Sequence, residues 1–285
     1  MANRREIRRR IRSVKNLAQI TKAMQMVAAS RMRRAQSRVV SSRPYAEAMR
    51  DVVAQLAVRS GVSDHPLLKA REVHEAELVA VTSDRGLAGA FVTNINRATA
   101  RFVDTSDHPV RIVAVGRKSR SFAVHAGMNL EATFEDLGEA PTIADIAPVA
   151  HQVLTDFSEG KVDQVHLAYT RFVTTLRQTP EIIQLLPAQP PELEAGSTPW
   201  NFEPDEPDKV LDVLLPRYVE SVIYQAILEA RASFYSAQMV AMSSATDNAN
   251  EMVGELTLEM NKARQAEITK EIAEIATAAG AVTGR

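Results

Sequence analysis

RYVESVIYQAILEARASFYSAQMVAMSSATDNANEMVGELTLEMNKARQAEITKEIAEIATAA, Arg217 to Ala279, contains no proline and a single glycine, Gly254. With no breaker to stop it, this stretch predicts one helix. At about 1.5 Å per residue it extends on the order of 90 Å, several times an ordinary globular helix. Such an element cannot be enclosed by a domain of this size, so its apolar stripe needs an equally long partner. The stripe predicted for this segment, begun two residues upstream, runs through Leu215, Val219, Val222, Ala226, Ala230, Phe234, Ala237, Ala241, Ala245, Asn248, Met252, Leu256 and Met260. Its alanines permit close approach of a second helix.

The opposite end of the chain supplies that second helix. Met1 to Arg43 has neither glycine nor proline, and apolar residues fall at Ile7, Ile11, Val14, Leu17, Ile20, Met24 and Val27. Their steps of three and four residues predict a seam that stays on one side for many turns, as in a coiled coil. The two terminal helices are therefore expected to pack antiparallel. Pro44 is expected to kink or interrupt the first one, with the pattern resuming through Tyr45, Met49, Val52, Val53 and Leu56 and closing at Gly61.

Between Glu77 and Leu186 the rhythm changes. LVAVT (78–82), VRIVAV (110–115), VHLAYTRF (165–172) and EIIQLL (181–186) predict strands, the first two each followed by glycine and a helix-compatible stretch. This alternation implies an α/β domain with a mostly parallel, Rossmann-like sheet. Pro187, Pro190, Pro191, Pro199, Pro204 and Pro207 then mark an extended acidic connector. The expected organisation is an N-terminal coiled-coil helix at 1–60, an α/β globular domain at 75–190, the connector at 191–208 and a C-terminal coiled-coil helix at 209–285.

Charge is balanced overall, with 34 basic and 35 acidic residues, which argues against a general nucleic-acid binder. The balance conceals a basic arm, since Glu6 is the only acid before Arg43. That arm repels itself, and it lacks the aromatic residues that stack on bases. An acidic protein partner is thus preferred over nucleic acid or a membrane surface. No stretch is long and apolar enough for a membrane span, and the N-terminus lacks the apolar centre of a secretory signal. The chain is expected to be soluble and to start at or near Met1. With no cysteine, thiol chemistry is excluded.

Chemical motifs are sparse. The first strand runs into SDRGLAG (Ser83 to Gly89), where a dinucleotide fold would place Gly-x-Gly-x-x-Gly, but only Gly86 and Gly89 stand there. Gly116-Arg117-Lys118-Ser119 fails the P-loop spacing. His65, His74, His108, His125, His151 and His166 are scattered singly, and no nucleophile elbow is present. No catalytic residue, cofactor site or metal site is expected. The tail IATAAGAVTGR (Ile275 to Arg285), small and uncharged until Arg285, predicts a tip seated in a largely non-polar socket.

Three segments together resemble the gamma subunit of F-type ATP synthases over essentially the whole chain. They are IRRRIRSVKNLAQITKAMQMVAASRMRRAQ (Ile7 to Gln36), SDRGLAGAFVTNINR (Ser83 to Arg97) and AMSSATDNANEMVGELTLEMNKARQAEITKEIAEI (Ala241 to Ile275). The last contains the family's Ile-Thr-x-Glu followed by Glu-Ile. The turn has Ala88 where many relatives have cysteine, and no cysteine-bearing regulatory insertion is present. The resemblance implies a central-stalk rotor, itself non-catalytic, with three alpha and three beta subunits, the epsilon subunit and the c ring as partners. It further implies attachment at the cytoplasmic side of a bacterial cell membrane through the complex alone. Met24, Arg264, Gln265 and Thr269 would contact beta, and Ser83, Asp84, Arg85 and Gly86 would contact epsilon or the c ring. The competing class is a coiled-coil scaffold with a nucleotide-binding α/β domain.

Overall fold

Long helices occupy both ends of the chain, α1 from Arg4–Arg59 and α5 from Pro207–Thr283, in a computed structural model that describes residues 4–59, 65–188 and 207–283. Between them lie β1 (Ala76–Val81), α2 (Phe91–Thr105), β2 (Val110–Val115), α3 (Arg117–His125), β3 (Asn129–Phe134), α4 (Ile143–Ser158), β4 (Gln164–Phe172) and β5 (Gln178–Leu186). The chain divides into two compact units, 1–27 with 239–285, and 28–238. The architecture is the expected α/β fold with a long antiparallel coiled coil.

In the first unit the start of α1 packs against the end of α5. The buried positions are Ile7, Ile11, Ala18 and Thr21 on α1, and Met242, Thr246 and Ala249 on α5, continued by half-buried Val253, Leu256, Met260 and Ala263. With half-buried Val14 included, the positions on both helices follow alternating steps of three and four, the heptad spacing that winds two helices about each other. The antiparallel register is visible in Thr21 opposite Thr246 and in Arg4 Nη1, 3.2 Å from Glu267 Oε2.

This seam corrects the expected one. Leu17, Ile20 and Val27 are 52%, 57% and 50% exposed, while the small Ala18 and polar Thr21 take the inner places. Asn248 and Met252 likewise face outward, with Thr246 and Ala249 inside. Close helix packing selects small side chains at a strict heptad spacing, so following the largest apolar residues leads onto the outer face. Thr246 Oγ1 lies 2.8 Å from Met242 O and 2.8 Å from Thr21 Oγ1, which itself lies 3.1 Å from Ala18 O. Both hydroxyls also bond carbonyls of their own helices, so the pair adds a contact that only this register makes.

The second unit carries a five-stranded sheet in the order β3-β2-β1-β4-β5. The first four strands are parallel and β5 returns antiparallel to β4. One face packs Val79, Val81, Val113 and Val115 beneath Val149, Val153 and Phe157 of α4, Val53 and Leu56 of α1, and Leu215, Val219 and Ile223 of α5. The other packs Leu78, Ala80, Ile112 and Ala114 against Ile95 and Ala123 of α2 and α3. Strands covered on both faces read as unbroken apolar runs, which is why β1 and β2 are legible in sequence. The expected strands omit β3. It is an edge strand alternating exposed and half-buried residues, with no apolar run to betray it.

Pro44 lies inside α1 and does not end it. Val40, whose carbonyl loses its donor to the proline, is on an exposed turn, where water can serve instead. Similarly, α5 opens at Pro207 and passes through Pro216. Gly61 and residues 189–206, most of the expected connector, lie outside the described residues.

Candidate functional site

Two places gather the residues singled out by sequence. The first is the end of the coiled-coil unit. Arg264, Gln265 and Thr269 are all exposed, and every residue from 264 to 277 is exposed in the same way. None of these three side chains forms a hydrogen bond or ion pair with another described residue. Ile268, Ile272 and Ile275, spaced by four and three, make an uncovered apolar stripe beside them. A helix presents such a stripe to water only where another molecule covers it. Met24 is half-buried and lies far from this end. In the Thr21–Thr246 register it sits level with about Ser243, roughly 30 Å along the axis from Arg264 at about 1.5 Å per residue. The structure therefore places the expected beta-contact residues at two levels of one shaft. Arg8, Arg9, Arg12 and Lys15 are exposed between those levels without ion pairs among the described residues.

The second place is the turn after β1. Asp84 Oδ1 accepts from the Arg117 amide at 3.0 Å and the Asp136 amide at 3.4 Å, tying together the carboxyl ends of β1, β2 and β3. Thr82 N–H donates to Val115 O at 2.8 Å, and Lys118 N–H to Ser83 O at 3.0 Å. Ser83 Oγ donates to Arg85 O at 2.7 Å. Gly116 makes this crossing possible, since at φ 95° a Cβ there would stand 2.8 Å from Thr82 O. The glycine therefore serves backbone packing and not a phosphate loop. Leu87, at φ 63°, and Gly89, at φ 55°, turn the chain into α2.

Thr82 to Arg85 border a cavity of about 280 Å³ that also meets Arg31, Arg117, Asp136, Glu139, Arg231, Phe234 and Tyr235. Arg117 grips Asp136 with contacts of 2.6 and 2.7 Å, which raises its already high pKa further. Arg31 pairs with Glu139 at 2.7 Å. Arg231 has its pKa lowered by burial, against partial compensation from Tyr235, Asp84 and Glu139. The expected site residues omit Arg231, Glu139 and Asp136. The available signal for Arg231 was a lone cation between Ala230 and Ala232 in a run of small and apolar residues. Nothing local in sequence links it to a turn so distant in the chain.

Among the described residues no group of three His, Asp or Glu side chains converges as a metal site. His166 stacks on Phe102 with ring centroids 4.7 Å apart, and burial lowers its pKa. It packs as an aromatic ring.

A family model described as ATP synthase matches residues 3–282. The chain is 49% identical to the ATP synthase gamma chain of Roseiflexus castenholzii, covering 99% of both chains. It is 48% identical to that of Dehalococcoides mccartyi strain CBDB1, covering 99% of this chain and all of the other. Among solved structures it is similar to a chain of the Tetrahymena thermophila mitochondrial ATP synthase central stalk and c ring, with TM-score 0.64 and 27% identity. That likeness covers 79% of this chain and 99% of the other. A chain of the Euglena gracilis mitochondrial ATP synthase rotor shares the fold at TM-score 0.62 and 19% identity, covering 93% and 98%.

Proposed function

This chain belongs to the ATP synthase gamma chain family, and from that premise we propose how its parts carry out a rotor's work. It is the central-stalk subunit of an F-type ATP synthase, transmitting rotation of the c ring to the catalytic sites on the beta subunits. Its partners are three alpha and three beta subunits, epsilon and the c ring. The observation that carries the mechanical reading is the uncovered helical end at 264–277 with its Ile268, Ile272 and Ile275 stripe.

An antiparallel helix pair with different residues on each outer face is asymmetric about its axis. Turning it presents a different surface to each beta subunit, biasing open and closed states in sequence. Arg264, Gln265 and Thr269 contact beta at one level through exposed donors, and Met24 contacts it at the lower level. The basic face of α1 meets acidic surface on the surrounding subunits. Ser83, Asp84, Arg85 and Gly86 serve the contact with epsilon or the c ring. The working segments are the helices at 1–60 and 209–285, the α/β domain at 75–190 and a connector at 191–208.

The chain is part of an enzyme complex whose ATP chemistry, on this reading, lies in other subunits. Among the described residues no helix is long and apolar enough to cross a membrane. We place the chain at the cytoplasmic face of a bacterial cell membrane, held there through the complex. Mixing it with alpha and beta subunits tests the reading. Co-elution of three alpha, three beta and one of this chain, with ATPase activity that the chain lacks alone, is expected. Failure to co-elute, or ATP hydrolysis by the isolated chain, would overturn it.

A further inference from the structure

The cavity behind the Ser83 turn has more donors than its own walls can satisfy. Thr82 Oγ1 and Arg231 Nε are both buried there without a hydrogen-bond partner among the described residues. The remaining charges are accounted for. Glu139 engages Arg31, Asp136 engages Arg117, and Asp84 caps two backbone amides. That leaves Arg85 without an ion pair among the described residues, while Arg231, with Tyr235, Asp84 and Glu139 around it, still has its buried Nε unmet.

Burying a donor without an acceptor is unfavourable, so the missing component is an acceptor. An exposed Arg85 without an ion pair and the unmet Nε of Arg231 on one cavity select an anion, and forked guanidinium donors match an oxyanion. A cation would face the same surplus positive charge. A purely apolar guest against Phe234 and Tyr235 would leave both donors unmet. At about 280 Å³ the space sits at the lower edge of small-molecule sites, roughly 300–1,000 Å³, too small for a dinucleotide. Its place, at the carboxyl ends of parallel strands, is where open α/β sheets hold ligands.

We propose that this cavity is a binding site for a small oxyanion of the phosphate class, held by Arg85, Arg231 and the Thr82 hydroxyl. The site joins the turn after β1 to Arg231 of α5 and gives this unit a ligand of its own.

Equilibrium dialysis of the full chain against inorganic phosphate, with chloride matched for ionic strength, tests the assignment. One saturable site per chain is expected. Arg85→Ala, an exposed change that leaves the core untouched, should weaken it about tenfold or more, the loss of one charge-assisted contact. Arg231→Lys keeps the charge but loses Nε, and should weaken it similarly. Arg171→Ala, a cation paired with Glu181 elsewhere on the domain, should leave it unchanged. Adenosine monophosphate as a second probe separates the sources. Binding of phosphate alone marks a free anion, and tighter binding of the nucleotide marks a phosphate carried on a larger molecule. Absence of saturable binding of either probe at millimolar concentration, or affinity undiminished in both Arg85→Ala and Arg231→Lys, overturns the proposal.

Discussion

Glu77→Gln should make the protein more stable, and by an amount that grows with pH. Glu77 sits in β1, completely buried, with neither carboxylate oxygen in a well-formed hydrogen bond among the described residues and Asp156 the side chain nearest to forming one. The cation registered beside it, Arg111, is already held by Glu75 at 2.6 and 3.0 Å and by Glu131 at 3.3 Å. Across the core stands Asp156 of α4, also buried, bound to Lys161 at 3.0 Å and Gln152 at 2.6 Å. Burial above all, then repulsion from Asp156, pushes the Glu77 pKa from 4.5 up to about 8, with Glu131 adding and Arg111 only partly opposing. The folded chain thus keeps a proton that the unfolded chain releases across this window. Stability must therefore fall as pH rises from about 4.5 to 8, by about 1.4 kcal/mol per pH unit, and level off above. Glutamine has no such proton to lose and can still donate toward Asp156. The stability gap between variant and parent should widen by about 3 to 5 kcal/mol across that window. Urea unfolding of both chains at a series of pH values measures it. A gap that stays constant with pH, or one that narrows as pH rises, would refute the assignment of the proton to Glu77.

Three further outcomes are expected. Gly116→Ala places a Cβ 2.8 Å from Thr82 O at a φ that L residues avoid, so denaturant unfolding should show a loss of about 2 to 4 kcal/mol. Thr21→Val and Thr246→Val should each cost about 1 kcal/mol, and the double variant less than their sum, because the hydroxyls share one contact. Additive losses in thermal unfolding would deny that contact. Arg264→Ala with Gln265→Ala, both exposed, should leave the isolated chain's unfolding midpoint within about 0.5 kcal/mol of the parent while lowering coupled ATP synthesis severalfold in the assembled complex. Unchanged synthesis would remove these two residues from the beta contact.

What the sequence could disclose followed from the range of the forces involved. The lengths of α1 and α5 were legible because breakers are local, and β1 and β2 because strands buried on both faces carry continuous apolar runs. Pro44 does not interrupt α1, since a proline's cost depends on whether water can reach the freed carbonyl, which sequence does not record. The seam held at Ile7, Ile11, Val219, Ala226 and Ala230 and was misplaced at Leu17, Ile20, Val27, Asn248 and Met252 for a related reason. Leu17 and Ile20 are the more hydrophobic residues, but Ala18 and Thr21 allow the helices to approach, so geometry outranks hydrophobicity at that contact. Ser83 to Gly86 stood out as a turn, whereas the cavity behind it needed Arg231 and Glu139, brought there by the return of α5 and by the loop after β3. Arg264, Gln265 and Thr269 were named through family resemblance alone, and in the structure their most informative property is that nothing among the described residues covers them.

The claim that this chain is a turning shaft can be watched directly. Because it contains no cysteine, Leu176→Cys in the exposed β4–β5 turn gives a single attachment point for a bead. With alpha and beta subunits fixed to a surface and ATP supplied, the bead is predicted to turn in one direction, pausing three times per revolution. ATP hydrolysis by the same complexes with the bead stationary, or moving without a preferred direction, would contradict the account.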